Sequence, residues 1–325
     1  MLLEFIAQHL ILTPEYILTV ANTASKRYKE YYIDKRDGTK RLIHHPSKEL
    51  KSIQRCINQG ILPRLPVHHC AAAYKPGAKL IDHVTRHKNS KYLLRLDFKD
   101  FFHRLTDMDI MLCLDEYKHF LPSDWNVLDS DLLIKLVCRY HKLTIGAATS
   151  PSLSNILCFK LDTQIQTLCD HLGVEYTRYA DDMYFSTIKP NILYDVRSSV
   201  YNIVNSLKYP SNLLFNNRKT KHTSKKHRRV ITGLVVTPTA KISIGRDKKR
   251  DIRSKIYNWN GLSVAEKYSL KGYLSYCNSV EPSFINSLCD KYTAGTINLI
   301  LKYDESAEAP KPKLLSPIEA IAASA

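Results

Sequence analysis

Residues 175–187 read EYTRYADDMYFST, with two adjacent carboxylates, Asp181 and Asp182, inside a run of Tyr, Thr, Phe and Ser. Those flanking residue types favour pleated structure, so the stretch predicts a strand, a tight acidic turn and a second strand. In an extended chain neighbouring side chains point to opposite faces, and two consecutive Asp residues converge on one site only where the chain turns. Two carboxylates held together are costly unless a cation shares their charge, and hard oxygen ligands suit Mg²⁺. An ordinary Asp-rich hairpin turn is the alternative, and turn preferences alone favour it. The rest of the chain has to decide between the two.

The chain has 325 residues with 44% apolar content, enough for a real core and two or three subdomains. Lys and Arg number 48 against 31 Asp and Glu, a formal charge of +17 that points to a polyanionic partner, nucleic acid or an acidic membrane surface. No apolar run approaches the roughly 20 residues that cross a bilayer, so no membrane association is expected. Glu4, Gln8, His9 and Pro14 interrupt the apolar start and no basic leader precedes it, so a signal peptide is not expected either. The eight cysteines are scattered without a CxxC pair, and Cys158 sits among Ile156, Leu157 and Phe159. Buried reduced thiols in a cytoplasmic protein are the expectation. His68, His69, Cys70, His83 and His87 fit no standard zinc spacing.

Working outward from the acidic stretch, Gly173 is a plausible stop for a helix carrying Leu153, Ile156, Leu157, Leu161, Ile165 and Leu168, which follows the small-residue segment LTIGAATSPSLSN at 143–155. Residues 92–98, YLLRLDF, form a compact apolar strand with Asp97 near its end, and a largely helical region follows it. Residues 31–47 predict a hairpin turning at Asp37-Gly38, with Lys35, Arg36, Lys40 and Arg41 flanking the turn. Such a hairpin closes over phosphates or is simply solvated. Two short helices broken near Pro14 are expected before it, and a helix from Ser47 to about Leu62 after it. Residues 211–230 carry seven Lys or Arg and no acid, and residues 246–256 put Arg246, Arg250 and Arg253 on one helical face, suited to a phosphate backbone or to solvent. The tail from about Glu305 reads as disordered.

If Asp97 and the Asp181-Asp182 turn lie side by side in one sheet, three carboxylates meet at a point. That arrangement holds two Mg²⁺ ions, one activating a hydroxyl and the other holding a triphosphate, with the Phe98 carbonyl available to complete a metal shell. At this point LDFKDFF, GAATSPSLSN, YADD, NNRKT and VITGLVV, in this order over about residues 25–260, resemble the motif series of reverse transcriptases, most of all the compact bacterial retron enzymes.

The resemblance implies an α+β fold of right-hand polymerase architecture. Residues 1–92 would be fingers with N-terminal helices, 93–240 a palm with an antiparallel sheet and a helical insertion at about 105–142, 241–304 a helical thumb, and 305–325 a tail. It implies that Asp97, Asp181 and Asp182 are metal ligands and that Lys219 protonates departing pyrophosphate. Phe102 would be a steric gate selecting deoxynucleotides. Lys35 and Arg41 would hold the incoming dNTP triphosphate, Gly146 would admit template and base, and Tyr179 would pack under the primer end. His87, Thr232 and Gly233, at the places of two retron-associated motifs, and the helix of Arg246, Arg250 and Arg253 would meet nucleic acid. The sequence departs from the family at Thr144 and Ile145, where many relatives carry Pro-Gln, at His83 and Val84, where the NAxxH motif matches only through His87, and at Ile231 in place of Val. The implied function is copying part of a structured noncoding RNA into single-stranded DNA linked to it, in a phage-defence setting with a separate effector protein. Another stand-alone bacterial reverse transcriptase and a dormant RNA-binding scaffold are the alternatives.

Overall fold

The computed structural model describes residues 1–35 and 38–304. Asp37 of the expected turn and the tail from about Glu305 lie outside the described residues. The chain divides into two compact units, one of residues 1–232 with 238–240, the other of residues 233–237 and 241 onward.

The larger unit is built on strands β1 (Tyr28–Asp34), β2 (Lys40–Pro46), β3 (Tyr92–Asp97), β4 (Glu175–Tyr179), β5 (Asp182–Thr187), β6 (Lys221–Ser224) and β7 (Arg229–Ile231). Four of them form an antiparallel sheet in the order β4-β5-β3-β6. Its register puts Leu94 opposite Phe185 and Leu96 opposite Met183 on one face, which is buried in the main apolar core. By the two-residue period, Leu93, Arg95 and Asp97 face the other way, with Asp182, Tyr184 and Ser186 opposite them. The acidic residues therefore share one face because the apolar ones share the other.

Helices Ser150–Leu157, Phe159–Leu172 and Ile192–Ser206 contribute buried residues to that core. The sequence predicts one continuous helix through Leu168, but the backbone leaves helical geometry at Cys158 (φ −85°, ψ 3°) and restarts. Gly173 ends the second piece in the left-handed region at φ 67°, as a helix-stopping glycine does. The helix Ile192–Ser206 adds an element absent from the sequence expectations, although Leu193, Val196, Val200 and Val204 recur at helical spacing and are all buried.

N-terminal helices Leu2–Leu10 and Pro14–Asn22, the latter capped by the Thr13 side chain with proline in its first turn, pack with Lys48–Gly60 around Leu2, Ile6, Ile17, Leu50, Ile53 and Ile57. The β1-β2 hairpin pairs Tyr28 with Pro46 through Asp34 with Lys40. It is tied to the 143–149 loop by the His44 N–H, which donates to the Ile145 carbonyl at 2.8 Å.

The smaller unit contains β8 (Leu234–Val236) paired with β9 (Ile242–Ser243), and helices Arg246–Tyr257, Val264–Val280, Pro282–Tyr292 and Ala294–Leu301. The last three bury Leu270, Leu274, Phe284, Leu288, Ile297 and Ile300. Among the described residues no helix is long and apolar enough to cross a membrane.

Under the β4-β5 turn lies a fully buried ion pair. Arg178 donates from Nε to Asp162 Oδ1 at 2.8 Å and from Nη2 to Oδ2 at 2.6 Å, and the Tyr176 hydroxyl donates to the same carboxylate at 2.8 Å. The remaining Arg178 nitrogen, Nη1, donates to the Ala180 carbonyl at 3.1 Å, which fastens the pair to the turn itself. Removing one partner strands a buried charge. Asp162→Ala should lower unfolding free energy by about 3–5 kcal/mol in urea titrations. A loss below about 1 kcal/mol would show that the pair does not hold the turn.

Candidate active site

Asp97 closes β3 and Asp182 opens β5, and the antiparallel register sets the two directly opposite. Asp181 precedes Asp182 in a two-residue connection whose first member, Ala180, takes φ 57°. Left-handed geometry without glycine costs about 1–2 kcal/mol, and the Arg178 bond to the Ala180 carbonyl helps to hold it. The Phe98 N–H donates to the Asp181 carbonyl at 3.0 Å and locks the turn to the end of β3. The three acidic residues that the sequence singles out are thus brought to one corner of the sheet.

The electrostatics show what this costs. Burial raises the Asp181 carboxyl above its ordinary range, and the charge of Asp97 raises it further. Burial likewise pushes Asp182 up to about 6, against the opposing pull of the Arg95 guanidinium. Asp97 is 1% exposed, and its Oδ1 is buried without a hydrogen-bond partner. Its other oxygen accepts from Lys219 Nζ at 3.0 Å. Arg95 grips Asp182 through Nε at 3.0 Å and Nη2 at 2.8 Å, and its Nη2 stands 3.7 Å from Asp97. Two protein cations therefore offset the carboxylate charge.

No group of three or more His, Cys, Asp or Glu side chains is arranged to hold a metal among the described residues. The acidic corner nevertheless fits a hard divalent cation in its chemistry. One carboxylate oxygen is buried and unpartnered, two neighbouring carboxyls are pushed toward protonation, and all the donors are oxygen.

Around this corner the other expected residues divide. Arg41 on β2 lies close enough to draw the Asp181 carboxyl down, whereas Lys35 stands at the exposed end of the hairpin beyond the Asp34–Lys40 pair. Phe98 is buried between the rings of Phe101 (5.7 Å) and Phe215 (5.1 Å). Phe102 is half-buried on the short helix Phe101–Arg104, its ring 6.5 Å from that of Tyr74. Tyr179 packs on His83 at 5.6 Å. Arg246 and Arg250 are exposed on their helix, while Arg253 lies over the Phe284 ring at 5.2 Å. Gly233 takes φ 87° at the start of the smaller unit.

Two of the expected residues are in close contact with protein. His87 is 1% exposed, with one ring nitrogen 2.7 Å from the Ser186 hydroxyl and the other 2.6 Å from that of Thr177. Its role is to fasten the helix Leu80–His87 to the sheet. At Gly146 a Cβ would lie 2.5 Å from the His44 carbonyl oxygen and 3.0 Å from Ile43 Cγ2. Glycine is required so that the loop can press against β2.

Sequence reasoning missed four contributors. Arg95 carried a signal, a lone charge two residues before Asp97 in an apolar strand and so on the same face. Tyr184 carried the same signal relative to Asp182: its hydroxyl lies 3.4 Å from Asp182 Oδ2 and accepts the Thr232 N–H at 3.0 Å, which places Thr232 as a prop to the site. Tyr74, at φ 61°, stands near enough to Asp181 for that charge to help raise its phenol. The Asp162–Arg178 pair had no local signature.

A sequence profile described as "Reverse transcriptase (RNA-dependent DNA polymerase)" matches residues 33–240. The Retron Ec83 reverse transcriptase of Escherichia coli is 32% identical over 303 residues, 90% of this chain and 95% of that protein. The Retron Ec86 reverse transcriptase of the same species is 31% identical, over 85% of this chain and 86% of that protein. A structure of telomerase from Candida albicans aligns with TM-score 0.48 and 14% identity, over 89% of this chain and 59% of that one.

The histidines behind the site make stability pH-dependent. Burial pushes His83 from its ordinary 6.5 down to about 4 and holds His87 well below its usual value. Below pH 6.5 the unfolded chain takes up protons that the fold refuses, so this stability is complete above about 6.5 and drains away as pH falls toward 4. His83 alone accounts for up to about 3 kcal/mol of that loss. In urea titrations at pH 7 and pH 4.5, His83→Leu should narrow the difference seen in the native chain. An unchanged difference would mean that His83 is protonated in the fold.

Proposed function

Since the chain belongs to the reverse transcriptases, in their retron type, and is therefore an RNA-directed DNA polymerase, we propose that it copies part of a structured noncoding RNA into single-stranded DNA that stays linked to that RNA. The observation carrying the catalytic assignment is the cross-strand pair of Asp97 and Asp182 with Asp181 in the adjoining turn, one oxygen of Asp97 buried and unpartnered.

Asp97, Asp181 and Asp182, with the Phe98 carbonyl, would hold two Mg²⁺ ions. When bound, these supply Lewis acidity to the attacking primer hydroxyl and neutralise charge on the triphosphate. Lys219, 3.0 Å from Asp97, would give a proton to departing pyrophosphate. Arg41, whose charge reaches Asp181, would bind the triphosphate of the incoming dNTP, with Lys35 further along the hairpin. Phe102, beside Tyr74, would exclude a ribose 2′-hydroxyl, and Tyr179, held by His83, would support the primer end. Arg95 and the Thr232–Tyr184 link would fix Asp182 in place.

In this reading residues 1–92 are fingers, 93–240 the palm and 241–304 the thumb, where exposed Arg246 and Arg250 contact the duplex. The phage-defence setting and the separate effector are carried over from the family resemblance. Seven buried free thiols fit a reducing compartment, the cytoplasm.

Asp181→Asn removes one negative charge and keeps the shape. It should lower Mg²⁺-dependent dNTP incorporation on a primed RNA template by about a hundred-fold or more. RNA affinity should be unchanged. Incorporation at the native rate would remove the acidic turn from catalysis.

A further inference from the structure

The catalytic reading leaves unused a cleft at the opposite end of β3. Tyr92 opens that strand, and five residues of extended chain, roughly 17 Å, separate it from Asp97. The cleft, of about 250 Å³, lies where the helix Ile192–Ser206 begins beside β3 and β6, and its walls include Tyr92, Leu193, Tyr194, His222, Ser224 and His227.

Three features point to one kind of occupant. Tyr194 is 60% exposed, and it is backed by His222 in a near-parallel stack with centroids 4.7 Å apart and planes at 16°. Because His222 covers one face of the ring, the exposed face of Tyr194 is the other one, free to take a second planar group. Lys225 and Lys226 stand between the cleft residues Ser224 and His227, within a stretch that has no acid from residue 211 to 230, and Arg197 stands three residues beyond Tyr194 on the helix. Asp195 is the acidic neighbour on that helix.

A stacking ring set among cations is how proteins hold unpaired bases. The volume is below the roughly 300–1,000 Å³ of sites that enclose whole small ligands, so it suits one planar base whose sugar and phosphate stay outside. We propose that this cleft holds a single unstacked base of single-stranded RNA, lying on the face of Tyr194 that His222 does not cover, while the adjoining phosphates run along Lys225 and Lys226. The inference rests on the reading of the chain as an RNA-copying enzyme and gives that enzyme a second point of attachment to RNA, away from the polymerising centre.

The test uses the purified chain and a fluorescein-labelled oligo(rU) carrying one 4-thiouridine. Tyr194→Ala should weaken binding about ten-fold or more, Tyr194→Phe should leave it within about two-fold, and the photocrosslink should fall on peptides containing Tyr194 or His222. Unchanged affinity in Tyr194→Ala, equal weakening by Tyr194→Phe, or crosslinks confined to other peptides would overturn the proposal. Primer extension on poly(rA)·oligo(dT), measured on the same preparations, should be the same for native and Tyr194→Ala chains. If the native chain fails to extend the primer, the catalytic reading fails. If it extends the primer while Tyr194→Ala binds RNA normally, only the cleft assignment fails.

Discussion

Three carboxylates held at one corner of a sheet repel one another, and most of the architecture around them serves to keep them there. The register of β3 on β5 sets Asp97 opposite Asp182, and it is fixed by the apolar face behind, where a one-residue slip would carry Leu94, Leu96, Met183 and Phe185 into solvent. The turn that adds Asp181 is held from below by the buried Asp162–Arg178 pair and from the side by the Phe98 N–H. Hydrophobic burial thus drives the charges together, and a second, internal charge pair stabilises the backbone that carries them.

The resulting electrostatic strain is local and already partly offset. Lys219 takes one oxygen of Asp97, and Arg95 takes both oxygens of Asp182. Neither cation satisfies the buried Asp97 Oδ1. Both long side chains are partly exposed, whereas the carboxylates are set by strand register and turn geometry.

Much of this was legible in the sequence because its signals are local. The acidic turn, the apolar strand ending in Asp97, the basic hairpin and the Gly173 stop each follow from residue type and spacing, and the order of five motifs identified the family. What the sequence hid was set by tertiary contact. Gly146 is glycine because of the β2 backbone against it, and His87 is conspicuous as a motif residue yet lies inside the fold. Asp162 and Arg178 are 16 residues apart on different elements, so neither announces the other. Arg95 and Tyr184 were readable in principle, each two residues from an acid on the same strand face, and a period-two reading of the strands finds both.

We propose the Asp97, Asp181 and Asp182 corner as a divalent-cation site. Anomalous diffraction from crystals of the chain soaked in Mn²⁺ tests it most directly. The account predicts a peak bound by the Asp97 and Asp181 carboxylates, with Lys219 Nζ displaced from its 3.0 Å contact. A saturating soak that leaves the Lys219–Asp97 pair intact and shows no peak at these carboxylates would contradict it.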